Sequence, residues 1–139
     1  MAVFLYTIHA YRSWMPDHKR GFVLRGKGIQ KPDAKRASWY HTLAKHDRMV
    51  FSDARCGQII DAVKEVCANK QWRLHGVVVV WTHLHLIVSW AAYADARRAR
   101  AVIKKAITTW LRDATGEHRK WLSGGGSINV CAIAGTTNT

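Results

Sequence analysis

Acidic residues are scarce. Asp and Glu together number 9 against 22 Lys and Arg, which leaves a net charge of +13 on 139 residues. That excess is larger than the solubility of a small domain requires. It points to a polyanionic partner, nucleic acid first and an anionic membrane surface second. Cysteine is also scarce. Cys56, Cys67 and Cys131 are odd in number and form no CxxC pair, which argues against a disulfide framework and fits a reducing cytoplasm. No apolar run reaches the roughly 18 residues that a membrane span needs. The first residues, MAVFLYTIHAYR, lack the basic start and small-residue cleavage site of a secretory signal. Both prolines, Pro16 and Pro32, fall between residues 12 and 48, and no internal repeat is visible. Hydrophobic residues make up 48%, enough for one folded domain spanning 1–139.

The apolar residues are ordered in segments. VFLYTIHAY, residues 3–11, is rich in β-branched and aromatic types and reads as a strand, with Phe4, Tyr6 and Ile8 on one face and Leu5, Thr7 and His9 on the other. Residues 12–48 read as a long irregular basic region carrying Lys19, Arg20, Arg25 and Lys27, interleaved with Trp14, Phe22, Trp39 and Tyr40. Such interleaving suits a single-stranded nucleic acid, whose bases stack while its phosphates pair, and equally suits aromatics that pin a loop to a core. The spacing of Ile59, Ile60, Val63, Val66 and Cys67 predicts a helix over 53–69, capped by Ser52 or Asp53. QWRLHGVVVVW, residues 71–81, predicts a strand buried on both faces. WTHLHLIVSW, residues 81–90, predicts another, joined to it by a tight turn near Trp81 and Thr82.

A second helix is predicted over 93–115. Ala99, Val102, Ile103, Ala106, Ile107, Trp110 and Leu111 form its apolar face, and Gly116 suits its end. Its flank carries Arg97, Arg98, Arg100, Lys104, Lys105 and Arg112, a solvated face by default and a phosphate-contacting one in so basic a chain. The tail, 123–139, is atypical: three glycines, then INVCAIA as a possible edge strand, then an uncharged end. The order strand, loop, helix, strand, strand, helix, strand predicts an α+β chain, a ferredoxin-like split βαβ with an antiparallel sheet and two helices on one face.

Alternation along 82–90 sends Thr82, Leu84, Leu86, Val88 and Trp90 toward the helices, and His83, His85, Ile87 and Ser89 to the open face. Two imidazoles at i and i+2 are close enough to hold one divalent ion, although spacing alone leaves a ligand pair and a bystander pair equally open.

WRLHGVVVVWTHLHLIVSW resembles the second and third strands of the HUH-superfamily single-tyrosine transposases, of the insertion-sequence and REP-associated group. YRSWMPDHKRGFV, residues 11–23, looks like that family's first loop, and KWLSGGGS, residues 120–127, is similar to the segment before its final helix. The resemblance implies a ferredoxin-like fold that binds single-stranded DNA beside a hairpin as a homodimer. It further implies Mg²⁺ or Mn²⁺ on His83 and His85 and cleavage through a covalent phosphotyrosine. It breaks after Ser127, where INVCAIAGTTNT offers neither the family's tyrosine nor its third ligand, as expected of a truncated, frameshifted or diverged end. Of Tyr6, Tyr11, Tyr40 and Tyr93, Tyr93 is the candidate substitute nucleophile. The Trp81-Thr82 pair also departs from the small or polar pair usual in the family. Three readings compete: a DNA-processing transposase, inactive if no nucleophile survives; a non-catalytic single-stranded DNA or RNA binder; and an unrelated small metal-dependent hydrolase using His83, His85 and His9.

Overall fold

In the computed structural model the described residues are 2–13, 22–24, 28–43, 49–91 and 95–133. Strand β1 (Ala2–His9) occupies an inner position of a four-stranded sheet. It pairs antiparallel with β5 (His83–Ser89) on one side and β6 (Ser127–Ile133) on the other. Strand β4 (Arg73–Val79) closes the far edge against β5, giving the order β4-β5-β1-β6. The predicted turn is present: the Val80 amide donates to the His83 carbonyl at 2.9 Å. The tail segment is an edge strand, as its composition suggests.

Helix α2 (Asp53–Lys70) starts because the Ser52 hydroxyl accepts the Arg55 amide, and ends where Gln71 turns left-handed. Helix α3 (Ala96–Thr115) is capped by Asp95 and stopped by Gly116 at φ 73°. It begins three residues later than the apolar spacing suggests, because the Asp95 carboxylate accepts the Arg97 and Arg98 amides and fixes the first turn there. Both helices pack on one face of the sheet. Ile59, Val63, Ile103, Ile107 and Leu111 meet Tyr6, Ile8, Leu84, Leu86 and Val88 in one buried core. The chain is thus α+β and ferredoxin-like, with each βαβ split by an intervening antiparallel strand.

Two expectations need correction. Residues 12–48 are more ordered than they read. They contain a short hairpin, β2 (Phe22–Leu24) with β3 (Gly28–Gln30), and helix α1 (Ala34–Leu43). The helix forms because the Asp33 carboxylate caps the Arg36 amide at 2.9 Å. The four valines do not make β4 buried on both faces. It is an edge strand with helices on one side only, so Val77 and Val79 are half-buried while Val78 remains 60% exposed.

Candidate functional site

The open face of the sheet is set by register. His85 lies between Val78 on β4 and Thr7 on β1, and His83 lies opposite His9. On β5 the burial alternates from His83 to Val88: Leu84, Leu86 and Val88 are buried, and His83, His85 and Ile87 are half-exposed on the other side. Ser89, expected on the open face, is instead buried, its hydroxyl sharing a 2.7 Å hydrogen bond with His75 Nε2. The two imidazoles stand edge to face with ring centroids 4.9 Å apart. The His9 ring lies 5.8 Å from that of His83.

Each ring of the pair is anchored by a hydroxyl. The Nδ1 of His85 shares a 2.8 Å hydrogen bond with the Thr7 hydroxyl, and the Nδ1 of His83 shares one of 3.1 Å with Thr82. When Nδ1 carries the proton and donates, Nε2 presents its lone pair, which is how a second contact fixes the tautomer of a metal-binding histidine. Partial burial, and then the neighbouring His85, push the His83 imidazole below its ordinary range and favour the neutral form that binds metal. This donor set fits two positions of a divalent-ion site. Among the described residues no group of three or more His, Cys, Asp or Glu gathers as a complete one. Neither threonine was singled out as a partner of the histidines. Thr7 falls on the His9 face by alternation, but only the β1–β5 register shows that it meets His85.

A glycine loop borders this face. The Ser123 amide donates to the His9 carbonyl at 2.9 Å, and Ser127 pairs with Thr7. Gly126, at φ 109°, lies so near β1 that a Cβ there would come within 2.5 Å of the Thr7 carbonyl oxygen. Two of the predicted phosphate-contacting bases are engaged in holding this loop. Lys104 Nζ donates to the Ser123 and Gly125 carbonyls at 2.6 and 3.1 Å, and Arg100 donates to the Gly126 carbonyl at 3.0 Å. Arg97, Arg98 and Lys105 are exposed and Arg112 is half-buried. Lys19, Arg20, Arg25 and Lys27 lie outside the described residues, as do the side chain of Tyr40 and all of Tyr93.

Tyr6 stands apart from the histidine pair. Tyr6 is fully buried under the helices, and its hydroxyl donates to the Ala96 carbonyl at 2.8 Å. Burial pushes its pKa up to about 12, against opposing help from Arg100. Tyr11 packs against the core, with the Lys120 ammonium 5.9 Å from its ring centre. Trp39 and Trp81 are exposed, 60% and 64%. No helix among the described residues is long and apolar enough to cross a membrane.

No protein-family model matches the chain, and no curated protein matches it. Among solved structures it is similar to a REP-associated tyrosine transposase bound to a REP hairpin, with 11% identity and a TM-score of 0.51. The match covers 95% of this chain and 57% of that one, so this chain spans little more than half the length of its structural neighbour. The comparison relates the chain to that transposase distantly, at the level of fold.

Proposed function

We propose that this chain binds single-stranded DNA next to a hairpin, and that His83 and His85 hold Mg²⁺ or Mn²⁺ against a backbone phosphate. The observation that carries this reading is the anchored pair itself. Two imidazoles on an open sheet face, each with Nδ1 on a threonine hydroxyl, sit in a chain of net charge +13. The structural neighbour, a tyrosine transposase bound to a REP hairpin, supports the choice of DNA. Thr7 and Thr82 fix the ring orientations, and the exposed Arg97, Arg98 and Lys105 attract the phosphates. The ion, when bound, supplies Lewis acidity that polarises a phosphate oxygen. Tyr6 takes no part as a nucleophile, since it is fully buried with its hydroxyl on the Ala96 carbonyl. The binding reading therefore does not depend on strand cleavage.

The test is incubation with hairpin oligonucleotides bearing single-stranded overhangs, with and without Mn²⁺, followed by a denaturing gel and intact mass. Metal-enhanced binding that is lost in the His83→Ala/His85→Ala variant is the expected result. A covalent protein–DNA adduct adds strand cleavage to the function, and peptide mapping then tests Tyr93. Salt-sensitive binding indifferent to metal and to both histidines overturns the metal reading in favour of binding by charge alone.

A further inference from the structure

The turn that delivers His83 also carries Trp81, whose indole is exposed beside a pocket. The backbone there is held from three sides. The Val80 amide donates to the His83 carbonyl at 2.9 Å, the Phe51 amide to the Trp81 carbonyl at 2.7 Å, and the Ala10 amide to the Thr82 carbonyl at 2.8 Å. A large apolar ring, of a kind that is ordinarily well buried, is thus presented to water from a fixed support. The pocket beside it measures about 660 Å³, within the roughly 300–1,000 Å³ of small-ligand sites. Trp81 and Thr82 line it from the turn, and the first turns of α2 line it through Asp53, Cys56, Gly57 and Ile60.

Gly57 is the second observation. It lies inside α2, where glycine is the poorest helix former after proline. Its φ is not positive, and a Cβ there would meet nothing within 4 Å. Neither backbone conformation nor internal packing calls for glycine at this position, and the space a side chain would take belongs to the pocket. The rest of the lining selects against a phosphate. Among the described residues no Lys or Arg contributes to it, and Asp53 adds a negative charge. Burial, and then Asp53, push the Cys56 thiol up, so it lines the wall as a neutral group. In a chain of net charge +13, this pocket suits a flat, uncharged, largely apolar group, and an unstacked nucleobase is one. Thr82 makes the pocket continuous with the histidine site, because its hydroxyl also meets His83 Nδ1.

We propose that this pocket captures one unpaired base of the bound strand, stacked on Trp81, with Gly57 leaving room for it. The inference rests on the DNA-binding reading above and adds a base-binding site to it. The three backbone hydrogen bonds of the turn hold the stacking platform in place before the strand arrives. Stacking accepts any base, so the site fixes the position of the strand rather than reading its sequence.

The experiment measures binding of wild type, Trp81→Ala, Trp81→Phe and Gly57→Leu to a hairpin with a single-stranded overhang. The same hairpin is then used with an abasic site moved along the overhang one nucleotide at a time. One abasic position weakens wild-type binding by about 5- to 160-fold, the effect of losing one stacked base. Trp81→Ala weakens binding to the intact oligonucleotide by a similar factor, and that abasic position then costs it nothing further, because the two changes remove the same contact. Trp81→Phe recovers part of the loss. Gly57→Leu fills the pocket and excludes the base while raising the thermal midpoint, since it places a good helix former at an exposed helix position. The Mn²⁺ affinity of the free protein stays at the wild-type level in all three variants. Losses that add in full at every overhang position, or wild-type binding by Gly57→Leu, overturn the pocket and leave the histidine reading intact. Unchanged oligonucleotide affinity, with self-association that Trp81→Ala abolishes, makes this face a contact between copies and overturns the proposal. A wild-type chain that binds no oligonucleotide overturns both readings.

Discussion

The two faces of one sheet are built from the same strands and behave oppositely. Toward the helices, Tyr6, Ile8, Leu84, Leu86 and Val88 are buried and interlocked. One residue away in each case, Thr7, His9, His83 and His85 are half-exposed and engage one another through ring contacts and hydroxyls. The core face fixes the register, because a one-residue slip would exchange the two sets. The open face inherits that register and uses it to bring groups from different strands together. Stability therefore belongs to one face and the proposed metal binding to the other, and substitutions should separate them.

The largest effect is expected on the core side. Leu84→Ala, at a fully buried position, should lower unfolding free energy by about 3 kcal/mol, whereas His85→Ala next to it should change it by less than about 1 kcal/mol. Urea melts of the two variants check this. Equal losses would mean that the open face is structural as well.

Gly126→Ala attacks the seam between the faces. The added Cβ meets the Thr7 carbonyl, at a backbone angle that side chains rarely adopt, for a loss of about 2 kcal/mol. It should also weaken divalent-ion binding, because Thr7 holds His85. A variant as stable as wild type would show that the loop is free to lift from β1.

These expectations show what the sequence carried. Period-two alternation was enough to assign Leu84 and His85 to opposite faces, and the caps and apolar spacing were enough for α2 and α3. Alternation cannot show which strands become neighbours, so the Thr7–His85 pairing was hidden, as was the edge position that leaves Val78 exposed. Helix α1 was hidden because its one clear signal, Asp33 before AKRASWYHTL, sits among bases and aromatics that read as a loop. The engagement of Arg100 and Lys104 with the glycine loop is a tertiary contact between residues about twenty apart or more, and no local pattern announces it.

Thr7→Val sharpens the comparison without touching the core. It keeps the side-chain shape and removes the hydroxyl on His85 Nδ1, so Mn²⁺ affinity should fall roughly tenfold with little change in the urea midpoint. Unchanged affinity would make the hydroxyl a bystander.

The smallest effect concerns pH. The His83 imidazole is held below the ordinary histidine value of 6.5, so the unfolded chain binds more protons than the folded one just below that pH. Its contribution to stability is present above 6.5 and fades as pH falls through the folded value. NMR titration of the metal-free protein should place the His83 midpoint below 6.5; a midpoint at or above it contradicts the assigned environment.

The most direct test of the central claim is a calorimetric Mn²⁺ titration of wild type and of His83→Ala/His85→Ala, each with the hairpin oligonucleotide present. The account predicts saturable binding in wild type that disappears in the double variant while both proteins stay folded. Equal Mn²⁺ affinity in the two would contradict it.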